Sequence, residues 1–182
     1  MLRRYKLALL PLLFCVAVCA QNNTSAVTRG NYYDFYNSIN PPYRVRRVLL
    51  ENQPLRFDIS NNLLEKKGKL FDTIFSKNDS AFLKKQVMQA ATFFWAPGAI
   101  ENTTVLSKPY IEYLYSEPGG RDRFSNDGFC SYSVPVFSSN RTLCIIMCAH
   151  YCGNLCSQGD VYYYKKINGK WKVIYHYSLW IN

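Results

Sequence analysis

The sequence predicts an α+β fold: an antiparallel, twisted sheet of five to seven strands with one main amphipathic helix packed on it. Aromatic residues make up 16% of the chain, 15 of them tyrosines, and tyrosine favours half-buried strand surfaces. The pair Asn168-Gly169 separates two strand-like runs, which is the strongest short-range signal of a β-hairpin. A cap cluster at residues 78–80 precedes an amphipathic run, which predicts the main helix over residues 79–92.

The first twenty residues indicate the compartment. Basic residues within 1–6 precede an apolar run over 7–18, and small residues follow at 18–20. This is the pattern of a secretory signal peptide, whose apolar core is too short for a membrane span. We expect cleavage after Ala20, with lipidation of Cys19 as the alternative. The mature protein is then secreted or periplasmic, has no integral membrane span, and holds cysteines that can oxidise.

The rest of the chain reads as a flexible leader at residues 21–30 and a single α+β domain at residues 31–182. The signal peptide carries three of the 22 basic residues and none of the 12 acidic ones, so its removal lowers the net charge from +10 to +7. A basic excess favours anionic surfaces. The basic residues cluster at 44–47 (Arg-Val-Arg-Arg) and 66–69 (Lys-Lys-Gly-Lys). Neither cluster has the interleaved aromatic residues of a nucleic-acid platform, so we expect no nucleic-acid partner.

The elements before the hairpin follow from local patterns. Residues 32–39 space their aromatic side chains as a short helix does, and prolines at 41–42 end it. Alternation predicts one or two strands within 44–59 and further strands at 69–76 and 109–115, followed by a loop at 117–128. The main helix is expected to bury one face and expose its lysines. That buried face comprises Phe82, Leu83, Val87 and Met88.

The last fifty residues predict consecutive strands. A strand at 132–137, a turn at 138–141, a strand at 142–149 and a loop at 152–159 lead into the hairpin of 161–167 with 170–181. A two-residue turn places Ile167 opposite Lys170, Lys166 opposite Trp171, Lys165 opposite Lys172 and Tyr164 opposite Val173. One hairpin face then carries most of the aromatic side chains and is a candidate ligand face. Its residues are Tyr162, Tyr164, Trp171 and Tyr175, with Val173 and Tyr177 beside them.

Five cysteines follow the signal peptide, the last four spaced four residues apart. Within one strand Cys144 and Cys148 lie roughly 13 Å apart and cannot bridge each other. The turn before that strand instead brings Cys130 near Cys148, and a tight loop brings Cys152 near Cys156. We therefore expect bridges Cys130–Cys148 and Cys152–Cys156, with Cys144 buried and free.

The same region has a second interpretation as a zinc site or a catalytic thiol. Its candidate ligands are Cys148, His150, Cys152 and Cys156. The spacing contains no C-x-x-C pair, and an oxidising compartment disfavours thiolate ligands, so we predict no metal and no cofactor. No nucleophile elbow, H-E-x-x-H helix, P-loop or dinucleotide fingerprint occurs. We therefore assign no catalytic residue.

The tail carries four short motifs. They are Tyr132-Ser133-Val134-Pro135-Val136-Phe137, Cys152-Gly153-Asn154-Leu155-Cys156, Asn168-Gly169-Lys170-Trp171 and Trp180-Ile181. In this order they resemble the tail of a group of uncharacterised secreted proteins from Bacteroidota-type bacteria. Ser157 departs from the pattern, since related tails tend to carry Gly there. The resemblance covers residues 131–181 and implies export and a shared hairpin fold, without an activity.

These observations predict an exported, disulfide-stapled, non-catalytic domain that binds a cell-envelope component or a protein. Two alternatives stay open. One is a secreted enzyme or metal-binding protein that uses residues 148–156. The other is a small-ligand carrier whose tyrosine-rich face forms the pocket.

Overall fold

A computed structural model describes residues 26–39, 48–56, 74–76, 79–118, 128–152 and 156–181. The helices are α1 (Arg29–Ser38), α2 (Asp79–Ala90) and α3 (Lys108–Ser116). The strands are β1 (Val48–Glu51), β2 (Thr103–Leu106), β3 (Phe129–Tyr132), β4 (Val136–Phe137), β5 (Leu143–Tyr151), β6 (Ser157–Ile167) and β7 (Lys170–Ile181). None of these helices combines the length and hydropathy that crossing a membrane requires.

All seven strands belong to one sheet, ordered β2-β1-β3-β5-β6-β7 with β4 paired to β5. Strand β1 runs parallel to β2 and β3, whereas the other pairs are antiparallel. The α+β class is confirmed, but the sheet is mixed rather than wholly antiparallel. In the sequence, long connections separate β1 from β2 and from β3, its two neighbours in the sheet. Such crossover connections permit the parallel pairing that a tight turn forbids.

Apolar side chains pack on both faces of this sheet. On one face, Phe35 and Tyr36 of α1 lie against Tyr132 and other strand residues in a first core. On the other face, Leu83 of α2 joins Val161 and its neighbours in a second core. The expectation of one main helix is therefore corrected, because different helices supply the two cores.

Helix α3 overturns the predicted strand at 109–115. The Ser107 side chain accepts a hydrogen bond from the Tyr110 backbone N–H (3.3 Å), and Pro109 lies in the first turn. A serine cap followed by an early proline starts a helix, and this outweighs the strand preference of the tyrosines. Helix α1 does follow its prediction, although it begins at Arg29 and so includes the end of the expected leader.

The other predicted strands are shorter than expected or lie outside the described residues. In residues 48–56, the described part of 44–59, the structure shows β1 and one bridge from Leu55 to Ser133. The predicted strand at 132–137 is split into β3 and β4, since Pro135 has no N–H to donate. Most of 69–76 and of 117–128 lies outside the described residues, and 74–76 form no strand.

The β6–β7 hairpin has the predicted register at its turn, where Ile167 faces Lys170 and Tyr164 faces Val173. Asn168 and Gly169 have φ values of 51° and 78°, the left-handed pair that suits a two-residue hairpin turn. The turn at 138–141 and the strand after it are also confirmed, the latter as β5.

Helix α2 forms where predicted but buries a different set of side chains. Met88 is 78% exposed, whereas the amide side chain of Gln86 is buried. Gln86 donates to the Phe137 carbonyl (2.7 Å) and accepts from the Phe137 N–H (2.9 Å). The side chain therefore pairs with β4 as a neighbouring strand would.

We expect Gln86→Ala to lower the free energy of unfolding by about 2–4 kcal/mol, because it leaves two buried backbone groups of Phe137 without partners. Urea denaturation monitored by circular dichroism measures this change. Gln89→Ala, at an exposed position of the same helix, is the matched control and should change stability by less than about 0.5 kcal/mol. Equal effects of the two variants would contradict the pairing.

Asp79 gives the fold an acid-sensitive contact. Its carboxylate accepts hydrogen bonds from the Ser76 hydroxyl (2.6 Å) and the Ser139 N–H (2.7 Å). Burial by itself raises the pKa of Asp79, but the hydrogen bonds from Ser139 and Ser76 outweigh it and the net pKa is lowered. Asp79 therefore stabilises the fold at pH values above the pKa that its carboxyl has in the unfolded chain. This stabilisation is lost as the pH falls through the lower pKa that the carboxyl has in the folded protein.

We expect wild type to be more stable than Asp79→Asn at pH 7, and this advantage to disappear as the pH falls below about 4. Denaturant titrations at a series of pH values measure the difference. Asp34→Asn, on the exposed side of α1, controls for the loss of one charge. A pH-independent difference for Asp79→Asn would rule out the carboxylate as the acid-sensitive group.

Candidate functional site

The structure divides the predicted cysteine cluster into one disulfide and three thiols. Cys152 and Cys156 are bonded, with their Cα atoms 5.0 Å apart, and the Cys152 N–H donates to the Cys156 carbonyl (2.8 Å). Cys130, Cys144 and Cys148 are free and buried. Because Cys152 and Cys156 bond to each other, they supply no thiolate to the alternative metal site.

The expected Cys130–Cys148 bridge is not formed, because the strand register differs from the prediction by two residues. Cys130 lies opposite His150, and Cys148 lies opposite Tyr132. Diagonal neighbours in a sheet are about 7–8 Å apart, which exceeds the Cα separation of about 4.4–6.8 Å that a disulfide spans.

Burial also keeps the three thiols protonated. It raises the pKa of Cys130 to about 12 and the pKa values of Cys144 and Cys148 well above the usual range. The thiolate is the form that attacks substrates and binds metals, so these side chains suit packing. Within the described ranges no group of three or more His, Cys, Asp or Glu side chains could hold a metal ion.

The candidate tyrosine face is divided between the two sides of the sheet. A register shift between Tyr163 and Tyr164 pairs Tyr163 with Tyr175. The other three candidates remain on the first-core side, where Tyr164 is only 3% exposed, while Tyr175 packs with the second core. The β-bulge therefore corrects the prediction of one continuous ligand face formed by Tyr162, Tyr164, Trp171 and Tyr175.

A buried carboxylate that the sequence did not single out lies on the hairpin. Asp160 has no exposed surface, and its Oδ1 accepts from Ser178 Oγ (2.7 Å) and lies 3.0 Å from His176 Nε2. The Gln158 amide donates to the same oxygen (3.2 Å). Ser178 hydrogen-bonds to the carboxylate rather than to the imidazole, so the group lacks the Ser–His–Asp order of a nucleophilic triad. It ties β6 to β7.

An open groove of about 300 Å³ lies between α3 and the sheet, and we name it the α3 groove. Its lining residues are Glu51, Lys108, Ile111, Glu112, Tyr115, Phe129 and Tyr151. Sequence reasoning missed it because 109–115 was expected to be a strand. The cap at Ser107 and the four-residue spacing of Ile111 and Tyr115 are the signals that indicate a helix with one face toward the sheet.

Aromatic rings form one wall of the α3 groove. Phe129 and Tyr151 are direct cross-strand partners, and their rings stack with centroids 4.7 Å apart. Tyr115 meets Phe129 edge to face, with a centroid distance of 5.9 Å. Strand pairing and the edge contact from α3 hold all three rings in defined positions, since such arrangements are the favoured aromatic geometries.

Carboxylates lie beside these rings. Glu51 accepts a hydrogen bond from the Ser131 hydroxyl (2.5 Å), which orients the carboxylate. Burial, followed by the charge of Glu51, raises the pKa of the Tyr151 phenol, so that phenol remains a neutral donor at physiological pH. With Glu112 and Lys108 included, the described lining has a formal charge of −1, on a chain whose net charge is +10.

Comparisons of this chain with protein-family models, with curated proteins and with solved structures found no match. The α3 groove and the exposed surface therefore provide the chemistry from which a function can be inferred.

In protein that lacks residues 1–20, we expect iodoacetamide at pH 8 to label none of the five cysteines under native conditions, because the free thiols are buried and protonated. Three should be labelled after denaturation without reductant, and all five after reduction. Intact mass spectrometry counts the adducts. One adduct in the denatured, unreduced protein would instead establish a second disulfide, and rapid native labelling would show an accessible thiol.

Proposed function

We propose that this protein is an exported, disulfide-containing binding domain whose α3 groove receives a small organic cation. The observation that carries the proposal is the combination of three ordered aromatic rings with two carboxylates in one groove. Export is inferred from the signal-peptide pattern of residues 1–20 and agrees with a disulfide in the fold. The proposal keeps the expected binding role and moves the small-ligand alternative from the hairpin to the groove.

The aromatic wall favours a cation because ring faces carry negative electrostatic potential. A cation within about 6 Å of a ring centroid gains on the order of 0.5–2 kcal/mol, with the larger values at desolvated sites. Glu51 and Glu112 add direct charge attraction, while Lys108 removes part of it. The result is a site that prefers a diffuse cation such as a quaternary ammonium over an anion.

The size of the groove agrees with a small ligand or a small part of a larger one. Its volume of about 300 Å³ lies at the lower end of the range for ligand pockets. The wall is built from strand ends and a capped helix, so it is largely formed before a ligand arrives. Preformed sites lose little free energy to ordering on binding.

Titration with choline and with its neutral isostere 3,3-dimethyl-1-butanol tests this proposal. We expect choline to shift the amide resonances of Phe129 and Tyr151 and to bind about tenfold more tightly than the alcohol, because only choline carries the charge. Tyr151→Leu and Glu51→Gln should each weaken choline binding by about threefold to thirtyfold. Isothermal titration calorimetry measures the affinities.

Tyr110→Leu is the matched control, since Tyr110 is an exposed aromatic residue of α3 outside the groove lining. Its affinity for choline should remain within about twofold of wild type. Thermal melts establish that each variant is folded. Equal binding of choline and the alcohol, or no resonance shift with either, would reject the cation site.

A further inference from the structure

Four lysines surround the tip of the β6–β7 hairpin, which we name the hairpin tip (residues 165–174). They are Lys165, Lys166, Lys170 and Lys172, all exposed. Lys165 and Lys172 lie directly opposite each other across the two strands. Like charges in directly opposed positions destabilise a hairpin, so stability of the fold does not explain this arrangement.

Toward the residues that the structure describes, the positive charge of the hairpin tip is not neutralised by a salt bridge. Within the described part of the chain, Lys166 places its Nζ over the Trp171 ring, 5.6 Å from the ring centroid. The contact between the His176 imidazole and the Asp160 carboxylate lies farther from the turn. Within the described residues these four lysines form no salt bridge, so an anionic partner would displace none there.

Apolar side chains are exposed among these lysines. Ile167, Val173 and Ile174 are 37%, 50% and 41% exposed, and Trp171 is half-buried. The register shift opposite Tyr163 and Tyr164 leaves Ile174 without a direct cross-strand partner. The hairpin tip thus combines a cationic rim with branched aliphatic side chains that contact water.

We propose that the hairpin tip docks on an anionic lipid surface. The lysines would contact headgroup phosphates, and the three aliphatic side chains would enter the boundary between headgroups and acyl chains. A soluble polyanion would use the lysines but gain nothing from the aliphatic groups, and this difference favours the lipid surface. The net charge of +7 expected after signal cleavage adds a long-range attraction.

Docking at this tip leaves the α3 groove free. Leu143, at the start of β5, pairs with Lys165 near the tip, whereas Tyr151, at the end of β5, lines the groove. These two ends are about 26 Å apart along the strand. The inference therefore does not depend on the cation site, and either can fail without the other.

Co-sedimentation with vesicles tests the proposal. The exported protein should bind vesicles of phosphatidylglycerol mixed with phosphatidylcholine, bind pure phosphatidylcholine far more weakly, and dissociate as salt is added. The double variant Lys165→Gln/Lys172→Gln should bind the anionic vesicles about 25-fold more weakly, at about fivefold per lysine. Lys84→Gln/Lys85→Gln removes the same charge from exposed sites on α2 and should stay within about twofold of wild type.

A second pair of variants separates lipid docking from simple charge attraction. Val173→Thr/Ile174→Thr keeps β-branched side chains in the strand but should weaken vesicle binding by about tenfold, because less apolar surface enters the boundary. Met88→Thr, at an exposed apolar site on α2, should have no effect. Equal loss of vesicle binding in the two double-lysine variants would overturn the proposal. So would undiminished vesicle binding by Val173→Thr/Ile174→Thr together with binding of the wild-type protein to soluble polyglutamate.

Discussion

The hydrogen bond from the Tyr36 hydroxyl to the Ser133 carbonyl, buried and 2.7 Å long, ties α1 to the centre of the sheet. The Tyr36 ring also stacks on Tyr132, with 5.2 Å between centroids. The Trp95 indole N–H (3.3 Å) and the Leu55 N–H (3.1 Å) both donate to the Tyr132 carbonyl. Burial, with smaller contributions from nearby thiols and phenols, raises the pKa of Tyr36 well above its usual value, which keeps its hydroxyl a donor. The first core forms around these contacts.

Side chains complete the hydrogen bonding where strands of the sheet end. Between β3 and β4 the Ser133 N–H donates to the Met147 carbonyl (2.9 Å), and the Ser133 hydroxyl accepts from the Met147 N–H (2.9 Å). On the far side of β4, the Gln86 amide donates to the Phe137 carbonyl and accepts from the Phe137 N–H. Because unpaired buried backbone groups are costly, these side chains allow a short, interrupted strand to remain in the interior. The middle of the sheet is therefore well hydrogen-bonded, whereas the α3 groove and the hairpin tip lie toward its ends.

The free thiols also belong to this interior. Cys144 and Cys148 lie on β5 and Cys130 on β3, all facing the first core, where burial suppresses their ionisation. The disulfide lies instead at the far end of β5, in the connection to β6. Because a protonated and buried thiol exchanges slowly with disulfides outside the fold, the three thiols can stay unpaired even under oxidising conditions.

The sequence by itself determined the features that depend on neighbours along the chain. These are the hairpin register at Asn168-Gly169, the position of α2, and the proximity of Cys152 to Cys156, each of which depends on residues close together in the chain. Only the tertiary structure decided the bulge that divides the tyrosines, the burial of Gln86, the register that separates Cys130 from Cys148, and the α3 groove. Each of these depends on contacts between segments distant in sequence, where packing outweighs local preference. Helix α3 lies between these two cases. The cap at Ser107 is a local signal for a helix, but the strand preference of the tyrosines that follow led to the prediction of a strand.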